Sequence, residues 1–106
     1  MIGRKLDYLF GKATGRAHNI ERSTDMLRQM KRIGLPDTPA NRQLMTKHFQ
    51  DVLNDSKNII GKGRNGTDIR ESLLMGPNGG LKVTSNWDGD TLETFILGGV
   101  GNRFTK

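Results

Sequence analysis

The sequence predicts an α+β fold, with two N-terminal helices packed on a three- to four-stranded antiparallel β-meander. Three observations carry this. Apolar residues recur at a helical period through the first half of the chain, and that period is lost after residue 68. The runs that follow have strand length and are separated by hairpin signals. A length of 106 residues suits a single domain, and 25 of them are Leu, Ile, Val or Phe, enough for one modest core.

Residues 1–17 form a basic, glycine-punctuated lead-in whose Leu6, Leu9 and Phe10 can make a short helical turn against the core. The helical part spans 18–60. In a first helix, 20–33, Ile20, Leu27, Met30 and Ile33 share one face with Ser23 and Met26. Asn19 suits the N-cap, Glu21 the first turn, and Gly34 followed by Pro36 the stop. A second helix, 39–55, opens on Thr38 as N-cap with Pro39 at the first helical position. Its apolar face is Leu44, Met45, Phe49, Val52 and Leu53, and Ile59-Ile60 then drops into the core. The segment GKGRNGTD, 61–68, reads as a basic, glycine-rich loop, and 69–106 as the sheet. Strands over 69–75, 81–87 and 91–97 are joined by PNGG and by Asp88-Gly89, and the tail GGVGNRFTK either adds a short fourth strand or stays loose.

With an Asp88-Gly89 turn, Asn86 faces Thr91 and Thr84 faces Glu93. One sheet face then gathers Lys82, Thr84, Asn86, Thr91 and Glu93. The other holds Leu81, Val83, Ser85, Trp87, Leu92, Thr94 and Ile96 against the helices. Arg70 and Ser72 join the polar face if the PNGG connection has three loop residues; Glu71 joins it if the connection has two or four.

The net charge is +6, and its distribution is lopsided: residues 1–66 hold 13 Lys/Arg against 6 Asp/Glu, while 67–106 hold 4 against 5. A one-sided cationic field attracts polyanions, which favours nucleic acid as the partner. The chain has no cysteine, so disulfides, thiol nucleophiles and Cys-based zinc sites are excluded. No cofactor or metal site is expected, because the two histidines do not form HExxH and no Asp/Glu cluster has ligand spacing. GKATG is not a Walker A loop, a GxSxG elbow is missing, and no apolar run is long enough to span a membrane.

RNA carries its own nucleophile, the 2′-hydroxyl, so its cleavage needs a base, an acid for the leaving oxygen and cations around the phosphate. In GRAHNIERS, His18 lies just before the predicted helix start, where free N–H groups favour an anion, and Arg22 follows one turn on. His18 is therefore the candidate acid or base and Arg22 the phosphate clamp. Arg70, Lys82 and Thr84 are candidate contributors from the sheet, with Glu71 or Glu93 as partner base. Lys12, Arg16, Lys62 and Arg64 are candidate RNA-binding residues. His48, four residues from both Leu44 and Val52, reads as a packed or boundary residue.

Over about residues 11–99, and most clearly at GRAHNIERSTDMLRQMKRIG and RESLLMGPNGGLKVTSNWDG, the chain resembles the variable C-terminal toxin domains of bacterial polymorphic toxins delivered by contact-dependent growth inhibition (CdiA-type) proteins. It is similar to the ribonuclease toxins of the barnase/EndoU/colicin/RelE fold group. The resemblance implies an endoribonuclease, often a tRNase, delivered from a secreted or cell-surface parent. Such a toxin acts in the target-cell cytoplasm and is neutralised by a cognate immunity protein, here expected to be acidic. EndoU-type members use two histidines and a lysine, a pattern from which His48 departs. The rival reading is a non-catalytic RNA- or DNA-binding module.

Overall fold

The computed structural model describes residues 3–98. Its elements in chain order are α1 (Gly3–Leu9), α2 (Ala17–Arg32), α3 (Pro39–Leu53), β1 (Ile59–Lys62), β2 (Asp68–Gly76), β3 (Gly79–Asp88) and β4 (Thr91–Gly98). The strands form one antiparallel sheet in the order β1-β2-β3-β4, with the helices on one face. The α+β architecture of helices on an antiparallel meander is as expected.

The lead-in supplies α1, and Leu6, Leu9 and Phe10 are buried. On α2 the stripe Ser23, Met26, Met30 faces the core and continues into buried Ile33. The Ser23 hydroxyl donates to the Tyr8 carbonyl oxygen at 2.5 Å and accepts from the Ala13 N–H at 3.2 Å, so this buried polar group fastens α2 to α1. On α3, Thr38 accepts from the Asn41 N–H and Pro39 occupies the first turn. Met45, Phe49 and Val52 are buried at i, i+4, i+7 spacing. Leu44 sits one residue off that stripe and is exposed, as is Ile20 on α2, so both leave the faces expected for them.

Arg42 ties α3 back to the N-terminal elements. It pairs with Asp37 and with Asp7, both at 2.7 Å, and lies 5.5 Å from the centre of the Phe10 ring. The hydrogen bond from Arg42 holds the Asp37 carboxyl below the usual carboxylate range.

The stretch expected to be a loop at 61–68 begins with strand residues. Ile59, Gly61 and Lys62 pair with Arg70, Ile69 and Asp68, so a fourth strand lies on the β2 side of the sheet. Four residues containing one glycine carry too little alternation to announce it. A register shift between Ile59 and Gly61 turns Ile60 out to solvent, not into the core. Residues 99–106 of the proposed tail strand lie outside the described residues.

The first hairpin has a two-residue connection, Pro77-Asn78, with Gly76 opposite Gly79. Its tip receives the end of α2, and the Asn78 N–H donates to the Ile33 carbonyl oxygen at 2.9 Å. A Cβ at Gly76 would collide with that same oxygen. This register puts Glu71 opposite Thr84 on the outer face and Arg70 opposite Ser85 on the core-facing side.

In the second hairpin Asp88 pairs with Thr91 around Gly89, whose φ of 60° suits the first central position of a type II′ turn. A shift between Asn86 and Trp87 then places Asn86 opposite Thr94 and Thr84 opposite Ile96. The connection is thus Gly89-Asp90, one residue later than the expected Asp88-Gly89, and with the shift this corrects the expected pairings of Asn86 with Thr91 and Thr84 with Glu93. Beyond the bulge β4 exchanges faces: Phe95 and Leu97 are buried, while Thr94 and Ile96 turn outward.

Candidate functional site

The helix bearing His18 starts earlier than the sequence pattern implies. Arg16 is the N-cap, giving no side-chain hydrogen bond, and His18 lies in the first turn of α2. The N–H groups of Ala17, His18 and Asn19 precede the first backbone bond of the helix, from Ile20 N–H to the Arg16 carbonyl oxygen. No carboxylate stands in that turn, so the positive end of the helix dipole is uncompensated there. His18, Glu21 and Arg22 follow at i, i+3 and i+4, one helical face, and all three are exposed.

That face looks along β4. A cleft of about 270 Å³ is lined by His18, Glu21, Arg22, Asp25, Met26 and Gln29 of α2 and by Ile96 and Leu97 of β4. Asp25 is engaged by Arg28 and by Gln29, the latter at 2.9 Å, which offsets its charge. On the other side of Arg22 a second cleft of about 320 Å³ is lined by Arg4, Lys5, Tyr8, Asn19, Arg22, Thr94 and Phe95. The Lys5 ammonium donates to the Glu93 carbonyl oxygen at 2.6 Å, joining α1 to β4 beside it. Arg22 therefore stands between two adjoining hollows, with the imidazole in one and an aromatic ring in the other.

The remaining expected residues scatter. Thr84 is one strand inward, opposite Ile96, and its Oγ1 is buried with no hydrogen-bond partner. Lys82 is on the same outer face but held 3.5 Å from Glu71. Arg70 leaves this group altogether, being only 6% exposed. Its Nη1 donates to the carbonyl oxygens of Val52 (3.0 Å) and Asp55 (3.1 Å) and to Asn58 Oδ1 (3.0 Å), at the C-terminal end of α3. The three-residue loop that would have turned it outward is not the one formed.

Lys12 lies 3.8 Å from Asp37, and Arg16 is exposed at the start of α2. Lys62 is paired with Asp68, and Arg64 is exposed in the turn after β1. These last two lie at the β1 edge, three strand spacings or about 14 Å across the sheet from β4. Gly63, whose N–H donates to the Thr67 carbonyl oxygen at 2.9 Å, lies close against the Asn86 side chain.

His48 is half-buried on α3, with its Nε2 3.0 Å from Ser72 Oγ and its ring edge-on to Phe49. Burial pushes the imidazole below its usual range, against a smaller upward pull from Asp51. Among the described residues no three His, Asp or Glu side chains converge on a point where a cation could sit, and no helix is long and apolar enough to cross a membrane.

Tyr8, Asn19, Glu21 and residues 94–97 of β4 were not visible as site components from the sequence; the β4 candidate it offered, Glu93, lines neither cleft. The helical spacing from His18 was the available signal for Glu21; nothing local signals that α1 and β4 meet there.

No family model matches the chain, and no curated protein matches it. Solved structures do. One, described as a contact-dependent growth inhibition toxin–immunity protein complex from Klebsiella pneumoniae 342, contains a chain of 34% identity and TM-score 0.74, with 90% of the present chain and 95% of that one covered.

Proposed function

The chain belongs to the contact-dependent growth inhibition toxin family, and from that premise we propose that it is a metal-independent endoribonuclease that cleaves RNA, with tRNA as the substrate class, by attack of the 2′-hydroxyl. The supporting observation is the convergence of His18, Glu21 and Arg22 on one cleft at the uncapped start of α2.

In this reading the scissile phosphate rests against the free N–H groups of α2 and the Arg22 guanidinium, which offset charge as the pentacoordinate phosphorus forms. His18 transfers one of the two protons, from the 2′-hydroxyl or to the departing 5′-oxygen, and Glu21 is the second group within the same hollow. The products are a 2′,3′-cyclic phosphate and a 5′-hydroxyl. Thr84 and Lys82, one strand inward, flank the path of the RNA over the outer face. The N-terminal cationic half supplies the long-range attraction.

The related structure is of a toxin with its immunity protein, which supports the same arrangement here. The partner would be acidic, to match a net charge of +6. The domain would reach the cytoplasm of a target cell from a cell-surface parent.

The test is total bacterial RNA incubated with the protein in chelator. Discrete fragments with cyclic-phosphate ends are expected, and His18→Ala should slow their appearance by about 10²-fold or more with folding unchanged. Retention of RNA without fragments, weakening steeply with salt, would replace the enzyme by a binding module.

A further inference from the structure

We propose that the second cleft is a nucleobase subsite, receiving an unstacked base next to the phosphate held at Arg22; this rests on the ribonuclease reading. Three features argue for a base. Tyr8 is half-buried in the wall with its ring set edge-on to Phe95, at a centroid distance of 6.4 Å and an interplanar angle of 82°. An aromatic side chain held in this way offers a fixed surface for stacking, which every nucleobase can use.

Asn19 brings an amide with both donor and acceptor, the chemistry that reads a base edge. It lies three residues before Arg22 on the same helix, so the amide and the guanidinium face one hollow. Arg4 and Lys5 add positive charge at the rim, and among the described residues no carboxylate lines the cleft, unlike its neighbour with Glu21 and Asp25. A nucleotide whose phosphate meets Arg22 would thus find the proton-transfer groups on one side and a stacking and edge-reading pocket on the other.

The probes are 2′-O-methylated RNA tetranucleotides of single base type, which lack the nucleophile and remain uncut. Their affinities are measured by fluorescence anisotropy for the unaltered protein, Tyr8→Leu and Asn19→Ala. Unequal affinity among the four bases is expected for the unaltered protein. Tyr8→Leu should weaken the preferred oligonucleotide by about 5- to 100-fold. Asn19→Ala, on an accessible helix turn, should narrow the base preference while leaving thermal unfolding unchanged.

Two failures are distinguishable. RNA cleaved normally, with both variants matching the unaltered protein in affinity and in the base at the cut site, would overturn the subsite alone. RNA neither bound nor cut by the unaltered protein would overturn the ribonuclease reading and the subsite together.

Discussion

Arg70 and Arg22 are both arginines that sequence reasoning places at the chemistry, and the fold separates them. Replacing Arg70 by Met removes three donor contacts at the end of α3, each with a charged donor and worth about 1.5–3 kcal/mol in isolation. Their sum overstates the effect. The Val52 oxygen keeps a bond from Asn58 Nδ2 at 2.8 Å, and the native guanidinium already leaves its Nε buried without a partner. A net loss of about 3 kcal/mol follows once relief of guanidinium desolvation is counted. That lowers Tm by about 12–24 °C for a domain of this size. Arg22→Met, on an exposed helix face, should move stability by less than about 0.5 kcal/mol while cutting RNA cleavage by about 10²-fold. The assay is urea unfolding of both variants beside a gel of RNA products below their midpoints. An Arg70→Met protein as stable as its parent yet unable to cleave would refute the structural assignment.

Two further outcomes follow from packing and titration. Gly76→Ala should cost about 2–3 kcal/mol, because its methyl group needs space held by the Ile33 carbonyl oxygen; a stability loss below about 0.5 kcal/mol would show that the hairpin tip yields freely. Burial lowers the folded-state pKa of His48, so as pH falls below about 6.5 the unfolded chain takes up a proton before the folded one does. Stability is therefore full above that pH and declines below it. His48→Gln, which keeps a polar group beside Ser72, should flatten Tm between pH 7 and 5, and an unaltered slope would assign the decline elsewhere.

The helices were legible because their cues are local: a Thr-Pro start, a methionine stripe and a Gly-Pro stop each act within a few residues. Three of the four strands were legible too, but neither β1 nor the register. One extra residue on β4, Glu93, opposite the Asn86-Trp87 step exchanged Thr94 and Ile96 for Phe95 and Leu97, and no local rule announces a bulge of that kind. The same limit explains the site. His18 and Arg22 could be paired from sequence because one helix turn relates them, whereas Arg70 depended on a loop length left open, and Tyr8 entered through a contact between distant segments.

The first hollow is walled by residues of 18–29 and 96–97 and the second by residues of 4–8, 19–22 and 94–95, so segments from both ends of the described chain meet there. A polypeptide emerging from a ribosome or threading through a pore exposes one of these ends well before the other. With residues 94–97 still confined both hollows lack a wall, and with residues 4–8 confined the second alone does. Both hollows would then be completed in a single step, as the last strand settles, and a molecule with that strand still confined would have neither.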